Sequence, residues 1–322
     1  MDDLQDISGL AHELSDLELA LLICLAGQEH CLIEVTDGSI NEVAAELALI
    51  CSHTYDLAYT VAEFSETTSL EEFHDQICTP RGTVEDVVIA KNFDFAPENV
   101  QLEALELIRS KKLTTANGVL EIPSRFLFVP VVVRDAGQVR PKLNAHLIDN
   151  LLISHFHDVD DGYVYLEDDD WQSEGGLSLS SVVHRTGTRD SRHPNINDQL
   201  LDRIYTASKT VKATAELIRY QQDIVVFLRL SRAVAGGISA RSNIQCSKLA
   251  KILAIIHGID YLTPSIVALA AKRVFRHRIV VAKPEDDRSL QYGSDLAAVA
   301  KVLEYATPDT ILESVLTLEA PL

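Results

Sequence analysis

Residues 154–161, with the sequence SHFHDVDD, contain histidines and aspartates of the kinds that bind metal ions. Their spacing fits neither of two known metal motifs. A hydrolase motif of the form HxHxDH needs an aspartate where Val159 stands, and a calcium-binding loop counted from Asp158 needs a glycine where Tyr163 stands. His184 and His193 could complete a site only through the accident of folding. We therefore expect a solvated acidic loop here and no metal site.

Nucleophilic catalysis is a second chemistry that the residue types allow. The polar stretch at residues 180–190 contains Ser180, Ser181, His184 and Asp190. A serine, a histidine base and an orienting aspartate can act together only in a defined geometry, and nothing in this spacing fixes one. We predict no catalytic residue in this segment.

Basic residues cluster at positions 272–278, KRVFRHR. Such a cluster can contact nucleic acid, but cations are also favourable at the end of a helix, where the backbone dipole is negative. Acidic residues outnumber basic ones 48 to 28, giving a formal net charge of −20. Because that surplus repels phosphate backbones, we favour a structural helix end over nucleic-acid contact.

The composition is that of a globular protein with about two domains: 322 residues, 47% apolar and 24% charged. The N-terminus lacks the features of a signal peptide, and no apolar stretch reaches the roughly 18 residues of a membrane span. We expect an intracellular protein, cytoplasmic or nuclear, with no membrane segment. Its five scattered cysteines are predicted to be reduced core residues: Cys24, Cys31, Cys51, Cys78 and Cys246.

Apolar runs that alternate with helical patterns predict an α/β domain over residues 1–153. The predicted strands are 30–34, 57–63, 84–90, 119–122 and 126–133, and the predicted helices are 16–26, 41–51 and 98–110. Residues 154–195 are expected to form an acidic, polar insertion that contributes to partner binding and not to folding. Helical patterns then dominate residues 196–322, at 198–220, 222–234, 241–258, 264–275 and 290–318.

Three sequence blocks in the helical region follow a specific pattern. They are GISARS at 237–242, AIIHGIDYLTP at 254–264 and VFRHRI at 274–279. In order and spacing they resemble the lid of AAA+ ATPases of the MoxR type and of the ATPase subunit of magnesium chelatase. Weaker similarity occurs at residues 30–34, 96–101, 112–118 and 140–149. The resemblance implies an AAA+-like core with a parallel sheet, followed by an all-α lid domain.

In the resembling family a loop of the form GxxGxGK[ST] surrounds the nucleotide phosphates, and its lysine and hydroxyl bind phosphate and Mg²⁺. The aligned residues 35–42 read VTDGSINE. Val35 and Ile40 are β-branched where the backbone must approach the ligand closely. Asn41 replaces the lysine, and Glu42 replaces the hydroxyl with a carboxylate. At about 5 Å and an effective dielectric constant near 20, this carboxylate would repel one phosphate charge by roughly 3 kcal/mol.

The metal-binding strand of the family is altered as well. Lys91 and Asn92 stand where the family has an aspartate and a glutamate that bind Mg²⁺ and orient the attacking water. One position has therefore changed from negative to positive. We predict that the ammonium of Lys91 occupies the place of the metal and pairs with Glu42.

Three further positions correspond to the family's polar and cationic nucleotide contacts. Asn150 stands at the arginine-finger position, and Arg134 follows the apolar strand where an asparagine is expected. Arg241, the lid arginine, is retained. We interpret Arg241 as a structural cation in preference to a remaining nucleotide sensor.

Together these replacements predict a catalytically inactive AAA+-like protein that acts as a scaffold or adaptor for protein partners in a larger complex. It would use no nucleotide, cofactor or metal and would have no catalytic residues. An alternative is a regulatory, non-hydrolysing subunit in a ring with an active AAA+ relative. An ATPase of the MoxR or magnesium-chelatase type would conflict with the altered loop. New chemistry in the old cleft would need a nucleophile and base that the sequence does not supply.

Overall fold

Parallel strands form the centre of the molecule. The computed structural model describes residues 2–79, 82–115, 118–134, 141–166 and 196–317. The strands are β1 (His30–Val35), β2 (Tyr59–Glu63), β3 (Val87–Lys91), β4 (Lys112–Thr115), β5 (Gly118–Glu121), β6 (Leu127–Val133), β7 (Leu151–His157), β8 (Val234–Gly236) and β9 (Val280–Val281). Five of them pair in the order β2-β3-β6-β1-β7, all parallel.

Helices cover the sheet and form the second half of the chain. They are α1 (Asp2–His12), α2 (Asp16–Gly27), α3 (Ile40–His53), α4 (Leu70–Ile77), α5 (Glu98–Ser110), α6 (Ala145–Ile148), α7 (Asp198–Thr210), α8 (Ala215–Leu230), α9 (Ala240–Ile256), α10 (Pro264–Phe275), α11 (Leu296–Leu303) and α12 (Pro308–Leu316). Several begin at the capping residues that the sequence supplies. Ser15 and Glu18 form a capping box at α2, and Thr263 caps α10 with Pro264 at the first helical position.

Alternate residues of each central strand pack into different layers. In β3, Ile89 belongs to the core shared with α2, α3 and the helical domain, whereas Val88 belongs to the core beneath α4 and α5. Both faces of the strand are buried, which explains why the sequence reads as a continuous apolar run. The parallel sheet with helices on both faces positions all strand ends at two opposite edges.

The helical domain packs around α9, which contacts α1, α2, α7, α8 and α10. The short antiparallel pair β8–β9 joins the segment before α9 to the segment that follows α10. The predicted fold class, a parallel-sheet α/β core followed by a helical domain, is therefore confirmed.

The structure corrects the expected start of the insertion. Residues 154–157 lie in β7, which pairs with β1 along its whole length and completes the sheet. The sequence obscured this strand because Ser154, His155 and His157 interrupt its apolar pattern, although all three side chains are buried. Residues 167–195 of the predicted insertion lie outside the described residues. That part of the chain includes Ser180, Ser181, His184, Asp190 and His193.

Other differences concern element boundaries. The expected helix at 198–220 is interrupted at 211–214, so its end belongs to α8, and α1 and α4 were not predicted. Residues 118–121 pair with β4 in an antiparallel hairpin that is separate from the main sheet. The described cysteines are all free, and four of the five are buried, as expected of reduced core residues. No helix in the described part of the chain has the length and apolarity needed to cross a membrane.

Candidate functional site

The loop aligned with the family's phosphate loop is bonded to itself. Residues 36–39 connect β1 to α3, and Gly38 adopts φ +91°, which glycine allows at low cost. The carbonyl of Thr36 accepts hydrogen bonds from the amide of Ser39 at 3.3 Å and from its hydroxyl at 2.9 Å. The two hydroxyl groups are 3.0 Å apart. The turn is therefore closed by its own polar groups, and Ser39 is buried.

Lys91 is the centre of polar contacts at this edge of the sheet. Its ammonium donates to Asn41 Oδ1 at 2.8 Å and lies 3.1 Å from Glu63 Oε2. The side chain of Lys91 is 6% exposed, whereas that of Glu63 is 65% exposed. A cation at the end of β3 therefore contacts the first turn of α3, at the positions aligned with the family's aspartate and lysine.

The predicted pairing of Lys91 with Glu42 is wrong. Strand register explains the actual ion pair, because Glu63 of β2 is the direct partner of Lys91 across the parallel ladder. Glu42 instead accepts a hydrogen bond from the hydroxyl of Tyr163 at 3.1 Å. Asn41, one residue earlier on α3, provides the contact that links the helix to β3.

A short strap formed by residues 163–166 crosses α3 beside this loop. The carboxylate of Glu46, 1% exposed, accepts hydrogen bonds from the amides of Val164 at 2.8 Å and of Tyr165 and Leu166 at 3.1 Å each. Burial raises the pKa of Glu46, and these backbone donors oppose that rise. The acidic residues of α3 therefore hold the chain that follows β7 against the helix.

Asn92 and Arg134 also lie at the carboxyl edge. Asn92 adopts a left-handed conformation with φ 55°, and its amide donates to the carbonyl of Val131 at 2.9 Å. Arg134 places its guanidinium carbon 4.7 Å from the centre of the Phe156 ring and lies 3.5 Å from Asp309 Oδ2. Both residues are therefore engaged within the chain.

Arg241 and Asn150 meet at the opposite edge. Asn150 immediately precedes β7, so it lies at the amino end of that strand, whereas residues 36–42 follow the carboxyl end of β1. The Arg241 guanidinium donates from Nη1 to Asn150 Oδ1. The structure therefore does not bring the retained lid arginine to the loop of its own chain.

The basic residues 276–278 join the helical domain to the sheet. Arg276 Nη1 lies 2.6 Å from Glu34 Oε2 on β1, and its Nε lies 3.0 Å from Asp309 Oδ1. His277 Nε2 is 3.1 Å from the carbonyl oxygen of Leu151. Of the predicted cluster, Lys272 and Arg273 remain exposed.

Arg278 is the most deeply buried member of this cluster, with 1% exposure. Its guanidinium donates to the carbonyls of Leu151 and Leu152, the latter at 3.3 Å, and to Gln245 Oε1 at 2.5 Å. Burial lowers its pKa to about 10. The side chain thus ties the segment after α10 to the backbone at the start of β7.

The glycine of the first lid block is required by a close approach to this same arginine. Gly237 has φ +96°, and a Cβ atom there would lie 1.7 Å from the carbonyl oxygen of Arg278. Two residues later, Ser239 caps α9 and donates to Asp149 Oδ1 at 2.6 Å. The first and third lid blocks therefore contact each other and the core.

The histidines of the candidate metal motif are buried in the sheet. The rings of His155 and His157 are 6.4 Å apart, and burial lowers the pKa of both, that of His155 to about 4. Asp158 and Asp161 cap a short helical turn. Among the described residues, no group of three or more histidine, cysteine, aspartate or glutamate side chains could hold a metal ion. The expected solvated loop is therefore wrong for residues 154–157.

Comparison with known proteins supports this architecture. Residues 227–298 match the AAA lid domain family. The crystal structure of a presumed ATPase from Cytophaga hutchinsonii superposes with a TM-score of 0.65 over 98% of this chain and 94% of that one, at 17% identity. A likeness at this identity establishes the fold.

Two curated relatives share part of the sequence, and both are named maintenance of telomere capping protein 2. The Lachancea thermotolerans protein is 30% identical over 114 residues, which are 34% of this chain and 40% of the relative. The Kluyveromyces lactis protein is 31% identical over 90 residues, 26% of this chain and 33% of the relative. The chain thus matches less than half the length of either. Taken together, the sheet, the helical domain and the family match show that this chain has the AAA+ fold with an AAA lid domain.

Proposed function

We propose that this chain is a catalytically inactive AAA+-fold protein that serves as a scaffold or adaptor for protein partners within a larger complex. The contact between Lys91 and Asn41 is the observation that carries the proposal. An ammonium lies at the strand position where the family binds Mg²⁺, and a divalent cation there would be repelled by it. The site is thus stable without a ligand.

The loop itself supports the same conclusion. The Ser39 amide, which a bound phosphate would need as a donor, is bonded to the Thr36 carbonyl. Glu42, in place of the metal-binding hydroxyl, contacts Tyr163 and adds a negative charge. Binding a nucleotide here would cost the loss of these bonds as well as charge repulsion.

The fold meanwhile retains a rigid connection between its two parts. Arg276 and Arg278 hold the lid against β1 and β7 through buried contacts. A preserved framework without a nucleotide site is suited to presenting surfaces to other proteins. The net charge of −20 favours protein partners over nucleic acid.

The names of the curated relatives give this proposal a biological setting. Both are called maintenance of telomere capping proteins. We infer that this chain contributes to telomere capping as part of a protein complex, in the nucleus or the cytoplasm.

A second candidate is a regulatory, non-hydrolysing subunit in a ring with an active AAA+ protein. The position of Arg241 favours it, because an arginine at the edge opposite the chain's own phosphate-loop segment could contact a loop-bound nucleotide only if a neighbouring subunit held that nucleotide. The asparagine at position 150 weighs against it, since that position supplies the finger arginine in the resembling family.

Phosphate release from Mg-ATP by the purified chain tests inactivity, and no release above the buffer rate is expected. The variant Asn41→Lys/Lys91→Asp, which restores the family's two charges, is the comparison for partial recovery of hydrolysis. Mg-ATP hydrolysis by the parent chain above the buffer rate would overturn the proposal.

Light scattering with a coexpressed AAA+ partner, with and without ATP, separates the two candidates. A scaffold should form the same complex in both conditions, whereas a ring subunit should assemble only with nucleotide. A chain that forms no stoichiometric complex in its native extract would contradict both.

A further inference from the structure

A cleft of about 370 Å³ opens at the amino edge of the sheet, away from the altered loop. Its walls come from the α2–β1 turn, the end of α5 and the first turn of α9. The lining residues that matter are Glu29, His30, Arg109, Lys111, Asn150 and Arg241. Volumes of this order accommodate small ligands.

The charge of the cleft is opposite to that of the protein. Arg109, Lys111 and Arg241 supply three cations, in a chain whose formal net charge is −20. The acidic lining residue, Glu29, is already compensated, because its carboxylate lies 2.6 Å from Lys248 Nζ and accepts from Gln245 at 3.1 Å. The cleft therefore has an unbalanced positive charge.

The cations retain donors for a ligand. Arg109 makes no hydrogen bond or ion pair with any side chain in the described ranges, and its side chain is exposed. Lys111 uses one ammonium hydrogen on the Ser124 carbonyl at 3.0 Å, and Arg241 uses Nη1 on Asn150. A guanidinium has five N–H donors and an ammonium has three, so most remain available.

A buried histidine also lines the cleft. His30 Nδ1 accepts the amide hydrogen of Phe128 at 3.0 Å, which fixes the tautomer with the proton on Nε2. Burial and the charge of Lys111 lower the pKa of His30 to about 3, so the ring is neutral at physiological pH. His30 therefore adds no charge of its own to the cleft.

We propose that this cleft binds a phosphate group of a small molecule, as a phosphomonoester or a diphosphate. Three cations balance a group with two or more negative charges, whereas a single carboxylate would leave two of them unpaired. Guanidinium and ammonium groups are also the usual phosphate donors in proteins. The site is independent of Mg²⁺ and of the loop at residues 36–42.

The test uses the purified chain and inorganic pyrophosphate, without Mg²⁺, with sodium chloride holding the ionic strength constant. Titration calorimetry should show saturable binding, and the melting temperature should rise with pyrophosphate. The double variant Arg109→Gln/Lys111→Asn should raise the dissociation constant for pyrophosphate at least about tenfold. Asparagine is chosen because residue 111 has φ 53°, which asparagine tolerates.

Lys112→Gln is the matched control, since it removes a neighbouring exposed cation that does not line the cleft. It should bind pyrophosphate like the parent. Glycerol phosphate and inorganic phosphate, as separate titrants, distinguish an ester ligand from the free ion. Equal binding by the double variant and the parent, or no binding by the parent, would overturn the proposal, and neither result bears on hydrolysis at the altered loop.

Discussion

The ammonium of Lys91 lies 2.8 Å from Asn41 Oδ1, so the last residue of β3 is tied to the first turn of α3. In the family that the sequence resembles, these positions hold an aspartate and a lysine. Here the positive charge lies on the strand and the helix position is neutral, yet a polar contact between the two elements remains. A direct contact thus stands in the place of one mediated by metal and nucleotide.

This contact predicts unequal costs for the loss of the two partners of the Lys91 ammonium. Asn41→Ala should lower the free energy of unfolding by about 1–3 kcal/mol, because the ammonium of Lys91, whose side chain is 6% exposed, would lose its amide acceptor. Glu63→Gln should cost less than about 1 kcal/mol, since Glu63 is 65% exposed. Urea unfolding at pH 7 measures both. Equal costs would mean that the contact with Asn41 contributes no more to stability than the exposed ion pair with Glu63.

Gly237 gives the sharpest prediction about the lid. Gly237→Ala should cost at least about 3 kcal/mol or prevent folding, because its Cβ would lie 1.7 Å from the Arg278 carbonyl oxygen at a positive φ. Gly236→Ala is the matched control, since no atom lies within 4 Å of its added Cβ. Thermal unfolding of both variants decides the matter. A Gly237→Ala variant as stable as Gly236→Ala would contradict the close approach.

The fold could be predicted largely because its central strands are buried on both faces. Residues 126–133 read as one apolar run, and the structure places β6 at residues 127–133 in the centre of the sheet. β7 escaped prediction because it is an edge strand that carries Ser154, His155 and His157. Burial of these polar side chains depends on the helices packed against them, which the local sequence does not specify.

The site contacts were harder to predict for a different reason. The pairing of Lys91 with Glu63 depends on the register between β2 and β3, which composition and spacing do not give. The bond between the Tyr165 amide and Glu46 joins residues 119 positions apart. Sequence reasoning located the altered positions of the site, but the partner of each depended on tertiary packing.

The strap over α3 predicts different costs for two glutamates on one helix. Glu46→Ala should lower the free energy of unfolding by about 2–3 kcal/mol, because three backbone amides would lose their acceptor. Glu42→Ala removes only the Tyr163 contact and should cost less than about 1 kcal/mol. Hydrogen exchange of residues 164–166 provides the second readout. Unchanged protection in Glu46→Ala would show that another group holds the strap.

The Arg276–Glu34 pair predicts the cost of separating lid and core. Glu34 is 5% exposed, so Arg276→Met would leave a buried carboxylate without its cation and should cost roughly 3 kcal/mol. Adding Glu34→Leu should recover part of that loss. Arg219→Gln, whose pair with Asp223 spans 3.9 Å on the surface, should change stability by less than about 0.5 kcal/mol. Additive costs for the two lid–core substitutions would show that the pair does not couple these elements.

Buried histidines should make stability fall on mild acidification. Burial lowers the pKa of His155 to about 4 and, together with nearby cations, that of His30 to about 3, against about 6.5 in the unfolded chain. Below pH 6.5 the unfolded chain therefore binds protons that these histidines do not bind in the folded chain. Their effect on the free energy of unfolding is smallest above that pH, and the free energy falls as the pH decreases towards 4. Each histidine should cost about 2 kcal/mol between pH 6.5 and 5. Urea unfolding at both pH values should show a smaller loss for His155→Leu than for the parent, with the exposed His257→Gln as control. The same loss in His155→Leu as in the parent would exclude His155 as a source of the pH dependence.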